Sequence, residues 1–387
     1  MKKNLVIVQS SANANMISNF GRNISDLLQE SGCDYHIIYS SEQTNKKVAL
    51  EELGELEAQL HECPIPQFMA VSTIIKLPWT LMKFYLVLRK IKPDVIYTRG
   101  TLVGFVGRIA AKLVGVKRIY HHQDDFLHRE EQLGSFQKWL FRKVDVSLTK
   151  ITNKIFFVSD TILKEAIDSG IDQQKCIMVG HDLHPKFVAS AKNIYEGRHP
   201  IVEAIMNDRN TFVVGSIARI EDFKGIDTII SVAHHFKNVD TDVKFLIRGN
   251  GSKREKYQAK IREEGLGNIV HLVSDYLPAN EIPWLFKSFD VFFLPTRREG
   301  FGMVFAEAMC MGRPVVGPKI YPVVEVVPEG LGYLIEPENT LAYVEAIKDI
   351  VQNEAKRNAL GHKAKEYALE RWGKKSSAEQ VVNVLLG

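Results

Sequence analysis

The stretch VFFLPTRREGFGMVFAEAMCMGRPVV, Val291 to Val316, decides the fold. Val291 to Thr296 is a β-branched and aromatic run, and Arg297 to Gly300 is a loop. Phe301 or Gly302 opens a helix running to about Met311, which Gly312 and Pro314 end before a second apolar run, Arg313 to Gly317. A strand, a helix and a strand in so short a span form a βαβ unit, the crossover that parallel neighbours require.

The same alternation extends in both directions. Upstream lie strand runs at Thr211 to Ala218, Val243 to Gly251 and Ile269 to Val273, and in the first half at Asn4 to Ser10, Asp34 to Ser40, Asp94 to Gly100, Lys117 to His122 and Lys154 to Ser159. Helical periods lie between them, as at Ile17 to Glu30 and Leu102 to Val114. At 387 residues the chain exceeds one ordinary core. The turn-rich, aperiodic segment Val188 to Pro200 divides it. The expected architecture is α/β: two Rossmann-like βαβ domains facing across a cleft. Residues 1–195 form the first, residues 196–370 the second, and residues 371–387 a C-terminal helix packing back on the first.

A net charge of +4 on 50 basic and 46 acidic residues gives no whole-surface attraction to nucleic acid, so any anion site must be local. The four cysteines, Cys33, Cys63, Cys176 and Cys310, lie far apart with no C-x-x-C pair and read as reduced packing residues of a cytoplasmic protein. The opening MKKNLVIVQSS has too short an apolar run for a secretory leader, and no apolar run is long enough to span a bilayer.

In open parallel sheets, ligands collect at the carboxyl ends of strands. Gly300 and Gly302 lack Cβ atoms, so a phosphate can approach the amides of Phe301, Gly302 and Met303, with Val304 next in the first turn. Carboxylates beside a phosphate need other partners. Glu307, roughly 9 Å along the helix, suits ribose hydroxyls, and Glu299 on the opposite side suits a hexose. Arg219 and Lys224, in GSIARIEDFKGIDTII (Gly215 to Ile230), supply the cations for a diphosphate. Gly249 of LIRGNGSKRE, with the loop Ser274 to Pro278 that holds Tyr276 and Leu277, would line the nucleoside pocket. Asp240 and Asp242 precede a strand, at the end away from ligands, and read as a solvated loop.

These segments together resemble the family-4 retaining glycosyltransferases of the GT-B fold. The carriers are ARIEDFKGIDTII, LIRGNGSKRE and PTRREGFGMVFAEAMCMGRPVV, whose Glu299 and Glu307 match that family's E-x7-E signature; KPDVIYTRG and KIFFVSDTILKEAIDSG extend the likeness more loosely into the first half. The resemblance implies metal-independent transfer of a hexose from a UDP- or GDP-sugar with retained anomeric configuration, and no bound cofactor. Arg219 and Lys224 would hold the diphosphate, Glu299 the donor hexose and Glu307 the ribose. The acceptor, a glycan or lipid-linked glycan, would rest on residues 1–195 and the nucleotide-sugar on residues 196–370.

The first half departs from that pattern. SSANANMISNFG stands where a glycine-rich loop is usual, with Asn13 and Asn15 as polar contacts. IYHHQDDFLHRE sets Gln123 and Asp124 at the positions of a usual His-Asp pair, so either His122 or Gln123 would point to the sugar. A metal site from His121, His122, Asp124 and His128 is an alternative use of the same segment. VGHDLHPKF keeps only Gly180 and Asp182 of an expected Asn-Gly-x-Asp loop. KLPWTLMKFYLVLRKIK, Lys76 to Lys92, is apolar and basic with no acid, and reads either as a core-facing helix with a basic outer face or as a peripheral anchor on the inner face of a membrane. Alternative functions for the whole chain are a nucleotide-sugar epimerase on the same architecture, a non-catalytic two-lobed sugar-binding protein and an NAD-dependent oxidoreductase; the last lacks a first-strand G-x-G-x-x-G.

Overall fold

The computed structural model describes residues 4–8, 19–40, 59–65, 71–129, 133–237, 242–275, 277–278 and 280–387. The chain divides into two units, Met1–His184 with Lys375–Gly387, and Pro185–Lys374. The division falls upstream of residue 195, because the short helix at Pro185–Ser190 already packs with the second unit.

The first unit runs β1 (Asn4–Val8), α1 (Asn19–Glu30), β2 (Asp34–Ser40), β3 (Gln59–Cys63), α2 (Val71–Ile91), β4 (Val95–Arg99), α3 (Thr101–Val114), β5 (Arg118–Gln123), α4 (Ser135–Leu148), β6 (Lys154–Phe157), α5 (Asp160–Asp168) and β7 (Cys176–Met178). Its seven strands are all parallel, in the order β3-β2-β1-β4-β5-β6-β7. The connections β3 to β4, β4 to β5 and β5 to β6 cross the sheet in one direction, so right-handed crossovers place α2, α3 and α4 on one face. There Phe84, Leu88, Val103 and Val106 pack on Val6, Val8, Ile38 and Ile96. The opposite face is covered by α1 and by the last helix of the chain, Ser376–Leu386, whose Ala378, Val381, Val382 and Leu385 are buried with Ile24, Leu28 and Tyr97. Asp182 starts that helix: its carboxylate accepts the amides of Ser377 at 3.1 Å and Ala378 at 2.8 Å. The residue kept from the expected Asn-Gly-x-Asp loop therefore caps a helix.

The second unit runs α6 (Pro185–Ser190), α7 (Pro200–Glu203), β8 (Phe212–Ile217), α8 (Ile226–His234), β9 (Val243–Arg248), α9 (Arg254–Glu263), β10 (Val270–Val273), α10 (Ile282–Lys287), β11 (Val291–Phe293), α11 (Met303–Cys310), β12 (Val315–Pro318), α12 (Val323–Val326), β13 (Tyr333–Ile335), α13 (Thr340–Gln352) and α14 (Glu354–Trp372). Its six strands are parallel in the order β10-β9-β8-β11-β12-β13. The chain leaves β8 toward β9 and leaves β11 toward β12, so the β8/β11 boundary is a topological switch point, where the carboxyl ends of two strands open a crevice.

Three strands, β3, β7 and β13, have no counterpart in the sequence reading. Each lies at the edge of its sheet, and QLHEC, CIM and YLI are largely half-buried, so no long apolar run marks them. The helix after Val291–Phe293 begins at Met303 rather than at Phe301, with Gly302 as its N-cap at φ +95°.

Candidate functional site

The loops after β8 and β11 meet at the switch point because the chain leaves no room between them. A Cβ on Gly225 would stand 2.0 Å from the Pro295 carbonyl oxygen, so only glycine lets the start of α8 press against the end of β11. Arg297 then ties the two loops together. Its amide donates to the Phe223 carbonyl at 2.7 Å, its Nη1 to the Asp222 carbonyl at 2.7 Å, and its guanidinium grips Asp227 with two bonds of 2.9 and 2.8 Å and Glu338 with one of 2.8 Å. Burial opposes ionisation of Asp227, yet the Arg297 fork prevails and holds its carboxyl below the usual range.

On this frame Lys224 Nζ reaches Glu299 Oε1 at 2.5 Å, with both side chains about nine-tenths out of solvent. The phosphate-binding cation and the sugar-binding acid of the sequence reading are thus each other's partners. Phe223 is the second organising group: Arg219 Cζ, Lys224 Nζ and Arg298 Cζ stand 5.4, 5.4 and 4.9 Å from its ring centroid. Lys224 is neutralised by Glu299, so much of the local positive potential comes from the two arginines. Gly300, Phe301 and Gly302 follow directly, and Met303 and Val304 open α11, where the first amides of a helix have no intrahelical acceptor. Glu307 is half-buried on α11, about 6 Å along the axis from Met303, closer to the helix mouth than the sequence suggested.

Gly249 is explained by packing. A Cβ there would stand 1.8 Å from the Ala218 carbonyl oxygen, and its amide donates to the Val273 carbonyl at 2.9 Å. It lets the loop after β9 lie against the loop that carries Arg219. Glu221 reinforces that contact by accepting from the Ser252 amide and hydroxyl, each at 2.8 Å. Leu277 is buried. Tyr276, Asn13, Asn15 and Asp240 lie outside the described residues.

In the first unit, the carboxyl ends of β4, β5 and β7 gather a separate polar cluster. Arg99 grips Asp124 through Nε at 2.9 Å and Nη2 at 2.8 Å. His122 Nε2 and His181 Nε2 lie 3.7 and 3.9 Å from the same carboxylate. His122 Nδ1 bonds Tyr97 Oη at 2.7 Å. Burial pushes both histidines down, His122 well below its ordinary range and His181 to about 3, so both are neutral at pH 7. Burial also opposes ionisation of Asp124, but Arg99 outweighs it and lowers the carboxyl. Gln123 is buried and held at both ends: its Oε1 meets His121 Nε2 at 2.8 Å and its amide donates to the Asp125 carbonyl at 2.5 Å. His121, His122, Asp124 and His128 do not converge as a metal cage. His128 pairs with Glu165 at 2.7 Å, and among the described residues no group of three or more His, Cys, Asp or Glu is placed to hold a metal ion.

The sequence reading missed Phe223, Arg297 and Arg298 in the second unit and Arg99 and His181 in the first. The available signals were the paired arginines of RREG and polar residues at strand ends, in YTRG and VGHDL.

Comparison with known proteins adds lineage to this geometry. The family model for glycosyl transferases group 1 matches residues 201–367, and that for glycosyltransferase family 4 matches residues 17–181. A capsular polysaccharide biosynthesis glycosyltransferase, CapM, of Staphylococcus aureus is 24% identical over 355 residues, covering 88% of this chain and 86% of the relative. A UDP-Gal:alpha-D-GlcNAc-diphosphoundecaprenol alpha-1,3-galactosyltransferase of Escherichia coli is 24% identical over 287 residues, covering 71% of this chain and 72% of its own. HepE of Anabaena, solved in complex with UDP and glucose, shares the fold with a TM-score of 0.78 at 18% identity over 99% of both chains. Two family models, one to each unit and together spanning most of the chain, agree with two parallel-sheet Rossmann-like domains: the chain belongs to the family-4 glycosyltransferases of the GT-B fold.

Proposed function

We propose that this glycosyltransferase moves a hexose from a UDP- or GDP-sugar to a glycan or lipid-linked glycan acceptor, with retained anomeric configuration and without a metal ion or other cofactor. The observation that carries the reading is the grouping of Arg219, Lys224 and Arg298 around Phe223, beside Glu299 and the mouth of α11. The Lys224–Glu299 contact supports the reading because a cation suited to a phosphate lies beside an acid suited to sugar hydroxyls.

In this scheme Glu299 accepts hydrogen bonds from the donor hexose, Glu307 from the ribose, and the amides from Phe301 to Val304 donate to phosphate oxygens. As the bond from the anomeric carbon to the diphosphate oxygen breaks, Arg219, Lys224 and the helix mouth stabilise the charge that develops on the leaving group. The acceptor oxygen bonds to the same face of the anomeric carbon, and its proton passes to the departing diphosphate oxygen. In the same scheme either His122, neutral and held by Tyr97 near the end of β5, or its neighbour Gln123 hydrogen-bonds the sugar. Gln123 is held between His121 and the Asp125 carbonyl. The relatives named for capsular polysaccharide synthesis and for transfer to a diphosphoundecaprenol-linked sugar support the lipid-linked form of the acceptor. The four cysteines form no disulfide, which suits a cytoplasmic setting.

The test is turnover with each nucleotide-sugar in excess chelator, with released nucleoside diphosphate and product anomer read by NMR. Retained configuration and undiminished chelator-treated turnover support the scheme; an inverted product or chelator-abolished turnover overturns it. A new nucleotide-sugar formed without acceptor would indicate an epimerase.

A further inference from the structure

The face of the first unit built by α2, α3 and α4 has a surface that the donor chemistry does not explain. Among the described residues, most of the exposed large apolar side chains lie on these three helices. Trp79 and Met82 protrude from α2, and Phe136, Trp139 and Leu140 from α4; Trp79 is 59% exposed and Phe136 71%. Two consecutive aromatics of α4 stack on each other at 5.9 Å, outward rather than into the core.

The charged residues carried by these three helices are almost all basic. Across α2, α3 and α4 the single acidic residue is Asp145, and it is buried. The bases are numerous and interleaved with the apolar groups: Lys83, Arg89 and Lys90 on α2, and Lys138, Arg142 and Lys143 on α4. Lys83 Nζ lies 4.9 Å from the Trp79 ring centroid, the i, i+4 spacing that lets an ammonium reach upward past an aromatic anchor. Acids resume on the next helix, α5, with Asp160, Glu165 and Asp168, and this bounds the patch.

The exposed aromatics of α2 and α4 lie in the halves that follow the carboxyl ends of β3 and β5. They therefore share an end of the sheet with Arg99, His122 and Asp124. A protein partner's interface is depleted in lysine relative to the rest of the surface. Indole rings mixed with lysines and arginines match the boundary of an anionic bilayer instead. No helix among the described residues is long and apolar enough to cross a membrane, so the patch would lie on the surface.

We propose that the α2–α3–α4 face docks on anionic lipid headgroups, with Trp79, Met82, Phe136, Trp139 and Leu140 as its apolar anchors. This goes beyond the donor-site reading and rests on none of its residues.

The experiment is co-sedimentation of the full chain with vesicles of phosphatidylcholine alone and of phosphatidylcholine with phosphatidylglycerol, at low and high salt. Binding is expected only to the anionic vesicles and should weaken in high salt. Each basic residue near the surface contributes about five-fold in affinity, so Lys138→Glu, Arg142→Glu and Lys143→Glu together should weaken binding by at least about 100-fold. Arginine at positions 138 and 143 should preserve it. Phe136→Ser with Trp139→Ser should weaken binding on the same vesicles. Unchanged unfolding midpoints, and unchanged turnover on a water-soluble acceptor, keep a folding or donor-site defect distinguishable from lost docking. Equal binding to both vesicle types, no binding to either, or a dimer in sedimentation velocity that the aromatic substitutions dissociate would overturn the proposal.

Discussion

Replacing Gly225 with alanine isolates the contact that brings the two halves of the candidate site together. The new Cβ would lie 2.0 Å from the Pro295 carbonyl oxygen, whereas real Cβ contacts essentially never fall under 3.0 Å, and the residue sits at φ +71°. Gly265 is the matched control, with φ +64° and Lys237 Nζ as its nearest neighbour at 3.5 Å. Both variants carry the cost of a left-handed backbone, about 1 kcal/mol. Gly225→Ala must also push two loops about 1 Å apart, and overpacking of that kind adds about 1–3 kcal/mol. The displacement falls on the segment from which Lys224 and Glu299 are hung, so turnover should drop by about 100-fold. Urea unfolding and nucleoside diphosphate release measure the two effects. Equal destabilisation of the two variants, or full activity in Gly225→Ala, would refute the claim that this contact assembles the site.

Three further outcomes follow from other parts of the structure. Lys224→Met and Glu299→Gln should each cost about 3 kcal/mol by leaving a buried charge unpaired, while the double variant recovers part of the loss; additive unfolding midpoints would mean the two are not coupled. His181 has a folded-state pKa of about 3 against 6.5 unfolded, so the folded state binds fewer protons between those values. Stability is full above 6.5 and falls as the pH drops, by about 2 kcal/mol at about pH 5 from this residue; His181→Asn should flatten that slope, and an unaltered slope in urea midpoints counts against the burial argument. Asp182→Ala removes the acceptor of two amides at the start of the last helix, which should cost about 1–2 kcal/mol and raise amide exchange in residues 376–386; unchanged exchange there would contradict the capping role.

The alternation of strands and helices was legible because interior parallel strands such as Phe212–Ile217 and Val243–Arg248 are buried on both faces and read as apolar runs. Edge strands have one neighbour and a wet side, so QLHEC at β3 carried no such mark. The members of the candidate site were legible as residue types at strand ends. Their pairing was not: Lys224 and Glu299 meet only because Gly225 lets one loop lie on another and Arg297 bolts them together, a tertiary fact with no local period. Gly249 has a packing role that its motif does not show. A Gly-x-Gly after a strand suggests a ligand, yet here the missing side chain makes room for the Ala218 backbone. In the first unit, His122 and Gln123 stood out as polar residues ending a strand, but only the fold shows that Arg99, from β4, and His181, beyond β7, close on the same carboxylate.

The most direct test of the account is a calorimetric titration comparing a nucleoside diphosphate, UDP or GDP, with its parent nucleoside, on the natural chain and on Arg219→Ala. Charge-assisted bonds to the diphosphate should make it bind at least about 100-fold more tightly than the nucleoside, and Arg219→Ala should remove about 10-fold or more of that advantage while leaving the nucleoside unaffected. Equal affinity for nucleoside and diphosphate, or an Arg219→Ala chain that binds the diphosphate undiminished, would contradict it.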